Sequence, residues 1–198
     1  MVLMLAQPAS ATVTSSISDV QGDANRWINK NKEIPSYLDI KSATLNLETG
    51  MFTLTMEMWG QIPDEPVLFN GIHSLFWQWT IDVEGGPYPY SHRIAMYEEY
   101  TVCVIWDGDT WCAQLWDCTD MVEPGEFLIL DIQTFECLDC GFTVTVPSSW
   151  LDDVQGGMWM VGDNGFKSPL SVSDAYAWWF FDIAGYDMST GEGTPWGV

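Results

Sequence analysis

The sequence predicts an all-β protein, an antiparallel β-sandwich of jelly-roll-like type with about nine strands. Three observations carry this. Apolar and polar residues alternate with a period of two in almost every segment. Clusters of Gly, Pro, Asn and Asp, such as Gly85-Gly86-Pro87 and Gly162-Asp163-Asn164-Gly165, separate these segments. No window sustains the i, i+3, i+4 spacing of an amphipathic helix over three turns.

Taken in order, the chain begins with an apolar stretch, Val2 to Ala6, broken by Pro8 and followed by Ala9-Ser10-Ala11. The small-x-small pattern reads residues 1–11 as the remnant of an export signal, with a disordered N-terminus as the alternative. Residues 12–198 are then a single β-sandwich domain, opening with a polar leader from Thr12 to Ser18. Ser42 to Leu47 and Met51 to Trp59 alternate around Glu48-Thr49-Gly50 and form a hairpin. In its second arm Phe52, Leu54, Met56 and Met58 share one face. Seven further strands follow: Leu75 to Val83, Tyr100 to Trp106, Trp111 to Trp116, Phe127 to Ile132, Phe142 to Val146, Met158 to Val161 and Tyr176 to Ile183. Short helices fit only Asn25 to Lys30 and Ser148 to Asp153.

Composition limits the partners. The 198 residues carry 28 Asp and Glu against 6 Lys and Arg, a formal charge of −22. Binding nucleic acid or anionic lipid requires basic side chains that displace counterions, so neither is an expected partner. No stretch approaches the roughly eighteen apolar residues of a membrane helix, and no membrane insertion is expected. Disorder is excluded by a 47% hydrophobic content that includes twelve Trp, enough to bury a core.

The five cysteines suit an exported protein. Cys103 and Cys112 flank Asp107-Gly108, the favoured dipeptide of a two-residue hairpin loop. Such a loop places Cys103 opposite Cys112 at a non-hydrogen-bonded site, within disulfide reach. A four-residue loop would shift the register and break the match. A zinc site from Cys112, Cys118, Cys137 and Cys140 is the alternative, although its first spacing is long for a zinc knuckle.

Three constellations bear on function. Asp19-Val-Gln-Gly-Asp23 is followed by Tyr37-Leu38-Asp39-Ile40 at the mouth of the first long strand. A hard cation such as Ca²⁺ takes about six to eight oxygens, several of them carboxylates, on a backbone able to turn sharply. Asp39 stands between apolar neighbours, where an isolated charge would be costly to bury. A cation shared with Asp19 and Asp23 removes that cost and ties the N-terminal loop to the sheet; turn capping by these residues is the plainer reading. Asp82 ends an apolar strand in the same manner, and Asp107, Asp109, Asp163, Asn164 or Asp174, read as turn and loop residues, could complete such a site or serve ordinary turn chemistry. The second constellation is aromatic: Trp77 and Trp79 share one face of a strand, while Trp106 and Trp111 flank a hairpin tip. Tryptophan faces can stack on sugar rings, or they can fill a core. The third is a carboxylate pair for glycoside hydrolysis, Glu57 and Glu99, with no glycosidase signature around either. The two histidines, His73 and His92, lie outside any nucleophile or metalloprotease motif.

The run Asp19-x-x-Gly-Asp23, Tyr37-Leu38-Asp39-Ile40, Trp59-Gly60-Gln61-Ile62-Pro63 and Trp77-x-Trp79-x-Ile81-Asp82 resembles extracellular β-sandwich domains of bacteria and archaea. These are related to DOMON-like domains and family 9 carbohydrate-binding modules. Glu99-Tyr100-Thr-Val-Cys-Val-Ile-Trp106-Asp107-Gly108 and Phe142-Thr-Val-Thr-Val-Pro147 fit the same pattern, which spans most of residues 17–183. The resemblance implies a non-catalytic, secreted module, with a structural calcium on Asp19, Asp23, Asp39 or Asp82. The expectation is therefore a secreted or cell-surface, calcium-stabilised module for binding or adhesion. Its partner would be a carbohydrate or a neighbouring surface protein. The alternatives are a self-assembling filament or surface-layer subunit, whose Thr12 to Ser18 leader pairs with a neighbour's sheet edge, and a glycoside hydrolase.

Overall fold

The computed structural model describes residues 12–24, 34–69, 71–83, 99–119, 128–154, 156–166, 178–185 and 193–197. Residues 1–11, the Asn25 to Lys30 segment, the Gly85-Gly86-Pro87 turn and His92 lie outside them. Two antiparallel sheets face each other. The first runs β1 (Val13–Ser18), β2 (Ile40–Glu48), β3 (Met51–Met58), β9 (Gly141–Pro147), β8 (Phe135–Leu138) in spatial order. The second runs β11 (Trp178–Ala184), β10 (Gly156–Phe166), β4 (Ser74–Asp82), β5 (Tyr100–Trp106), β6 (Trp111–Asp117), β7 (Leu128–Ile132), with β12 (Thr194–Gly197) also on β10. The fold is the all-β sandwich that the alternation predicts.

The two sheets follow different burial rules. In β3 Phe52, Leu54, Met56 and Met58 are buried and the intervening residues face outward, as one-sided packing requires. In β4 and β5 nearly every residue is buried on both faces, which explains their continuous apolar runs. The facing surfaces interlock through aromatics. Trp77 of β4 lies 5.0 Å from Phe142 of β9, and Trp111 lies 5.5 Å from each of them.

Among the described residues twelve strands form, where about nine were expected for the chain. The additional ones are β1, β8 and β12. In β1 only Val13 and Ile17 are buried, so its sequence shows no clean alternation. The four residues of β8 are mostly exposed, and β12 contains Pro195. The polar leader is therefore a strand of its own sheet, with Val13 opposite Leu47 and Ser18 opposite Ser42. It forms the edge of that sheet. At 148–153 the expected short helix is a 3-10 turn, Ser148–Leu151. A larger difference concerns β10, which continues straight through Gly162-Asp163-Asn164-Gly165, a cluster that reads as a turn in the sequence. A bulge between Asp163 and Asn164 absorbs the irregularity.

The Cys103–Cys112 disulfide does not form. Cys103 pairs with Gln114 and Cys112 with Ile105, so the hairpin loop has four residues, Asp107 to Thr110. The Asp107 side chain fixes that length by accepting the backbone N–H groups of Asp109 at 2.9 Å and Thr110 at 2.8 Å. Gly108 takes a φ of 99°, a conformation that glycine tolerates without strain. Both cysteines remain thiols. Replacing Asp107 with Ala should cost about 1 kcal/mol through the loss of these bonds. Urea denaturation of Asp107→Ala against wild type checks this, and equal midpoints would contradict it.

Candidate cation site at the seam of the two sheets

Five aspartates converge where the N-terminal edge of the first sheet meets β10 and β11 of the second. Each arrives for a local reason. Asp19 follows β1 and continues its ladder, its backbone N–H donating to the Lys41 carbonyl at 3.0 Å. Its side chain accepts the N–H of Val20 at 2.8 Å. The chain then turns through Gly22, whose φ of 81° suits glycine. That turn aims the Gly22 N–H at Asp39 Oδ2, 2.8 Å away, and brings Asp23 inward. Asp39 is placed by the 3-10 turn Ser36–Leu38 that leads into β2. Asp182 crosses between the sheets: it lies in β11, yet its Oδ2 accepts the Ile40 N–H of β2 at 2.7 Å. Its other oxygen accepts its neighbour Ile183 at 2.9 Å. Asp163, on β10, stands opposite Asp182 in the strand register.

One carboxylate oxygen from each of Asp19, Asp23 and Asp182 lies within 4.8 Å of the other two. Calcium–oxygen bonds of about 2.3–2.6 Å allow ligand oxygens to stand up to roughly 5 Å apart, so this spacing suits one ion. Asp163 is wholly buried at 0% exposure. Neither of its oxygens accepts a hydrogen bond of normal geometry, and the same holds for Asp39 Oδ1. Burial, and then the neighbouring Asp182, push the Asp163 carboxyl well above the usual carboxylate range; the nearby Asp182 backbone N–H only partly eases this. Asp182 is pushed up to about 7 by burial and by Asp19 and Asp23, against the relief supplied by the Ile40 and Ile183 amides. Burial also raises Asp39. Among the described residues Lys41 is the single Lys or Arg, and it is engaged 3.0 Å from Glu57. The donors of the cluster are all hard oxygens, a set that suits calcium and not the nitrogen or sulfur preference of zinc or copper.

The structure thus brings together Asp19, Asp23 and Asp39 of the four aspartates singled out in the sequence. Asp82 stands apart: it pairs with Met158, five positions along β10 from Asp163, roughly 16 Å away at the rise of a strand. In the sequence Asp163 stands out only as one of several loop aspartates that could complete a calcium site, and Asp182 is not singled out. Asp163 was hidden in an apparent turn, whereas Asp182 carried the signal that marks Asp39, a lone carboxylate between apolar residues (Phe181-Asp182-Ile183 beside Leu38-Asp39-Ile40).

The other candidates fall elsewhere. Trp77 and Trp79 are completely buried, Trp106 nearly so, and Trp111 packs 5.3 Å from Trp106 and half-covers the aromatic seam. Their indole N–H groups have structural uses as well: Trp77 donates to the Tyr37 carbonyl, Trp79 to Thr55 and Trp111 to Asp64. Trp77, Trp79 and Trp106 belong to the core, and Trp111 packs partly buried against it. Among the described residues the exposed tryptophan is Trp59, with the Lys41 ammonium 6.0 Å from its ring. Glu57 points outward from the first sheet, its carboxyl held below its ordinary value chiefly by Lys41. Glu99 directly precedes β5 of the second sheet and accepts the Val83 N–H at 2.5 Å. Cys112 and Cys118 are six positions apart on and just beyond β6, roughly 20 Å, which is too far for the four cysteines to share one zinc. Among the described residues no helix is long and apolar enough to cross a membrane.

No protein-family model, no curated protein and no solved structure matches this chain.

Proposed function

We propose that the chain is a non-catalytic, extracellular β-sandwich module for binding or adhesion, whose two sheets are clasped by calcium. The observation that carries this reading is Asp163: a wholly buried carboxylate neither of whose oxygens accepts a hydrogen bond of normal geometry, register-paired with a second buried carboxylate. An ionised pair of that kind is strongly unfavourable in a core unless a cation compensates it. The placement supports the same reading. Asp19, Asp23 and Asp39 come from the first sheet and its loop, Asp163 and Asp182 from the second, so one cation bridges both. Extracellular calcium modules bind with dissociation constants of about 10⁻⁴–10⁻³ M, which fits a site built partly on a turn. The resemblance to DOMON-like modules, with calcium near the strand ends, is in keeping with it. The reading rests on the cation site and not on the core tryptophans.

Calorimetric titration of calcium into chelator-stripped protein tests this proposal. Saturable binding is expected, and it should vanish in the Asp19→Asn/Asp23→Asn double variant, whose changes lie outside the apolar core. A flat titration of folded wild-type protein would overturn the reading.

A further inference from the structure

We propose that β1 exchanges between copies of this chain, the strand of one copy seating in the slot of another, and that calcium is the latch that slows the exchange. The partner is a second copy of the same protein. This rests on the calcium reading above and goes beyond it.

The slot is shaped to this segment. Val13, Ser15 and Ile17 share the inward face of β1, while Thr14, Ser16 and Ser18 turn outward. Ile17 approaches Gly185 so closely that a Cβ on that glycine would lie 2.3 Å from Ile17 Cδ1, so the absent side chain makes the room. The Ser15 hydroxyl accepts the indole N–H of Trp159 in β10 at 2.9 Å and donates to the Pro195 carbonyl in β12 at 3.0 Å. When β1 leaves, the slot offers the edge of β2, a glycine socket and an indole donor in the register that residues 13–18 satisfy. A second copy supplies those same residues, which favours self-exchange over capture of an unrelated strand.

The strand is also lightly anchored. Of its six residues only Val13 and Ile17 are buried, whereas β2 beside it buries Ile40, Ala43, Leu45 and Leu47. Such an edge opens locally at less cost than the core. Residues 19–39 tether it to β2, and at roughly 3.3 Å per extended residue that length reaches a neighbouring molecule.

The latch sits at the foot of the strand. Asp19 follows β1 directly, and its carboxylate oxygen lies within 4.8 Å of oxygens from Asp23 and from Asp182 of β11. An ion held there fastens the end of β1 to the opposite sheet, and the strand leaves only after the ion does. The exchanged form rebuilds the same trio, so calcium slows exchange without choosing between the two forms. Calcium at a hundredfold its dissociation constant lowers the opened population, and with it the exchange rate, about a hundredfold.

Ser16 and Thr44 stand opposite each other on β1 and β2, at a separation that a disulfide bridges. A Ser16→Cys chain is mixed with a Thr44→Cys chain in oxidised glutathione, and the link between positions 16 and 44 is followed by peptide mass spectrometry. In this mixture the link requires β1 of one copy on β2 of another. The Ser16→Cys/Thr44→Cys chain, which closes the same link within one molecule, is the control for reach. The expected result is an interchain link that accumulates in chelator and about a hundredfold more slowly in calcium. No interchain link in chelator, with the control link formed, overturns the exchange and leaves the calcium module standing. Equal rates in the two buffers overturn the latch, and with it the proposal. A flat calcium titration of the folded chains overturns the reading beneath both.

Discussion

Stripped of divalent cations, the protein should lose stability as the pH rises from about 4 to about 7, on the order of 4 kcal/mol from Asp182 alone. In the unfolded chain this carboxyl ionises near 3.8, whereas the folded protein keeps its proton until about 7. Between those values the unfolded state sheds a proton that the folded state retains, so rising pH favours unfolding. The stabilising effect is complete below the unfolded value and gone above the folded one. Asp163 shifts in the same direction and adds to the loss. Glu57 and Asp107 are shifted downward and oppose it, but both lie at the surface, where screening keeps their contribution small. Calcium should cancel the effect, because it binds the ionised carboxylates and so favours the folded state at neutral pH. Denaturant unfolding in chelator across this pH range measures the slope. A stability that stays flat or rises towards neutrality would contradict the account.

Asp182→Ala should cost on the order of 4 kcal/mol in saturating calcium and much less in chelator at neutral pH. The carboxylate accepts the amides of Ile40 at 2.7 Å and Ile183 at 2.9 Å. Each hydrogen bond to a charged group contributes about 1.5–3 kcal/mol, and the Ile40 bond also joins β2 to the opposite sheet. In calcium the variant loses these bonds and the cation together. In chelator it loses the bonds but also sheds a buried, uncompensated charge, and the two effects offset. Denaturant midpoints of both proteins in both buffers give the comparison. The same loss in calcium and chelator would make Asp182 a structural hydrogen-bond acceptor and nothing more.

How much of this was legible in the sequence depended on whether a residue's signal was local. The Phe52-Leu54-Met56-Met58 face could be read directly, because burial on one side leaves a period of two. β4 and β5 were legible from the density of their apolar residues, since both of their faces are covered. β1, β8 and β12 were not, because edge strands bury too little to leave a pattern. The hairpin at Asp107 turned on a single side chain. Asp107-Gly108 favours a two-residue loop, but the Asp107 carboxylate captures the amides of Asp109 and Thr110 and makes four residues the better solution. That choice separated Cys103 from Cys112. At the site, Asp19, Asp23 and Asp39 were visible because a Gly-containing turn and an aspartate among apolar residues are local features. Asp182 carries the same local mark as Asp39, but its meeting with Asp163 follows from strand pairing at long range, which no local pattern encodes.

The central claim, that calcium clasps the two sheets, is tested most directly by thermal unfolding of the wild-type chain in calcium and in chelator. A ligand at a hundredfold its dissociation constant adds about 2.7 kcal/mol to the folded state. For a chain of this size that corresponds to a melting temperature higher by about 5 to 10 °C. The account predicts that rise in calcium at neutral pH. Superimposable melting curves in the two buffers would contradict it.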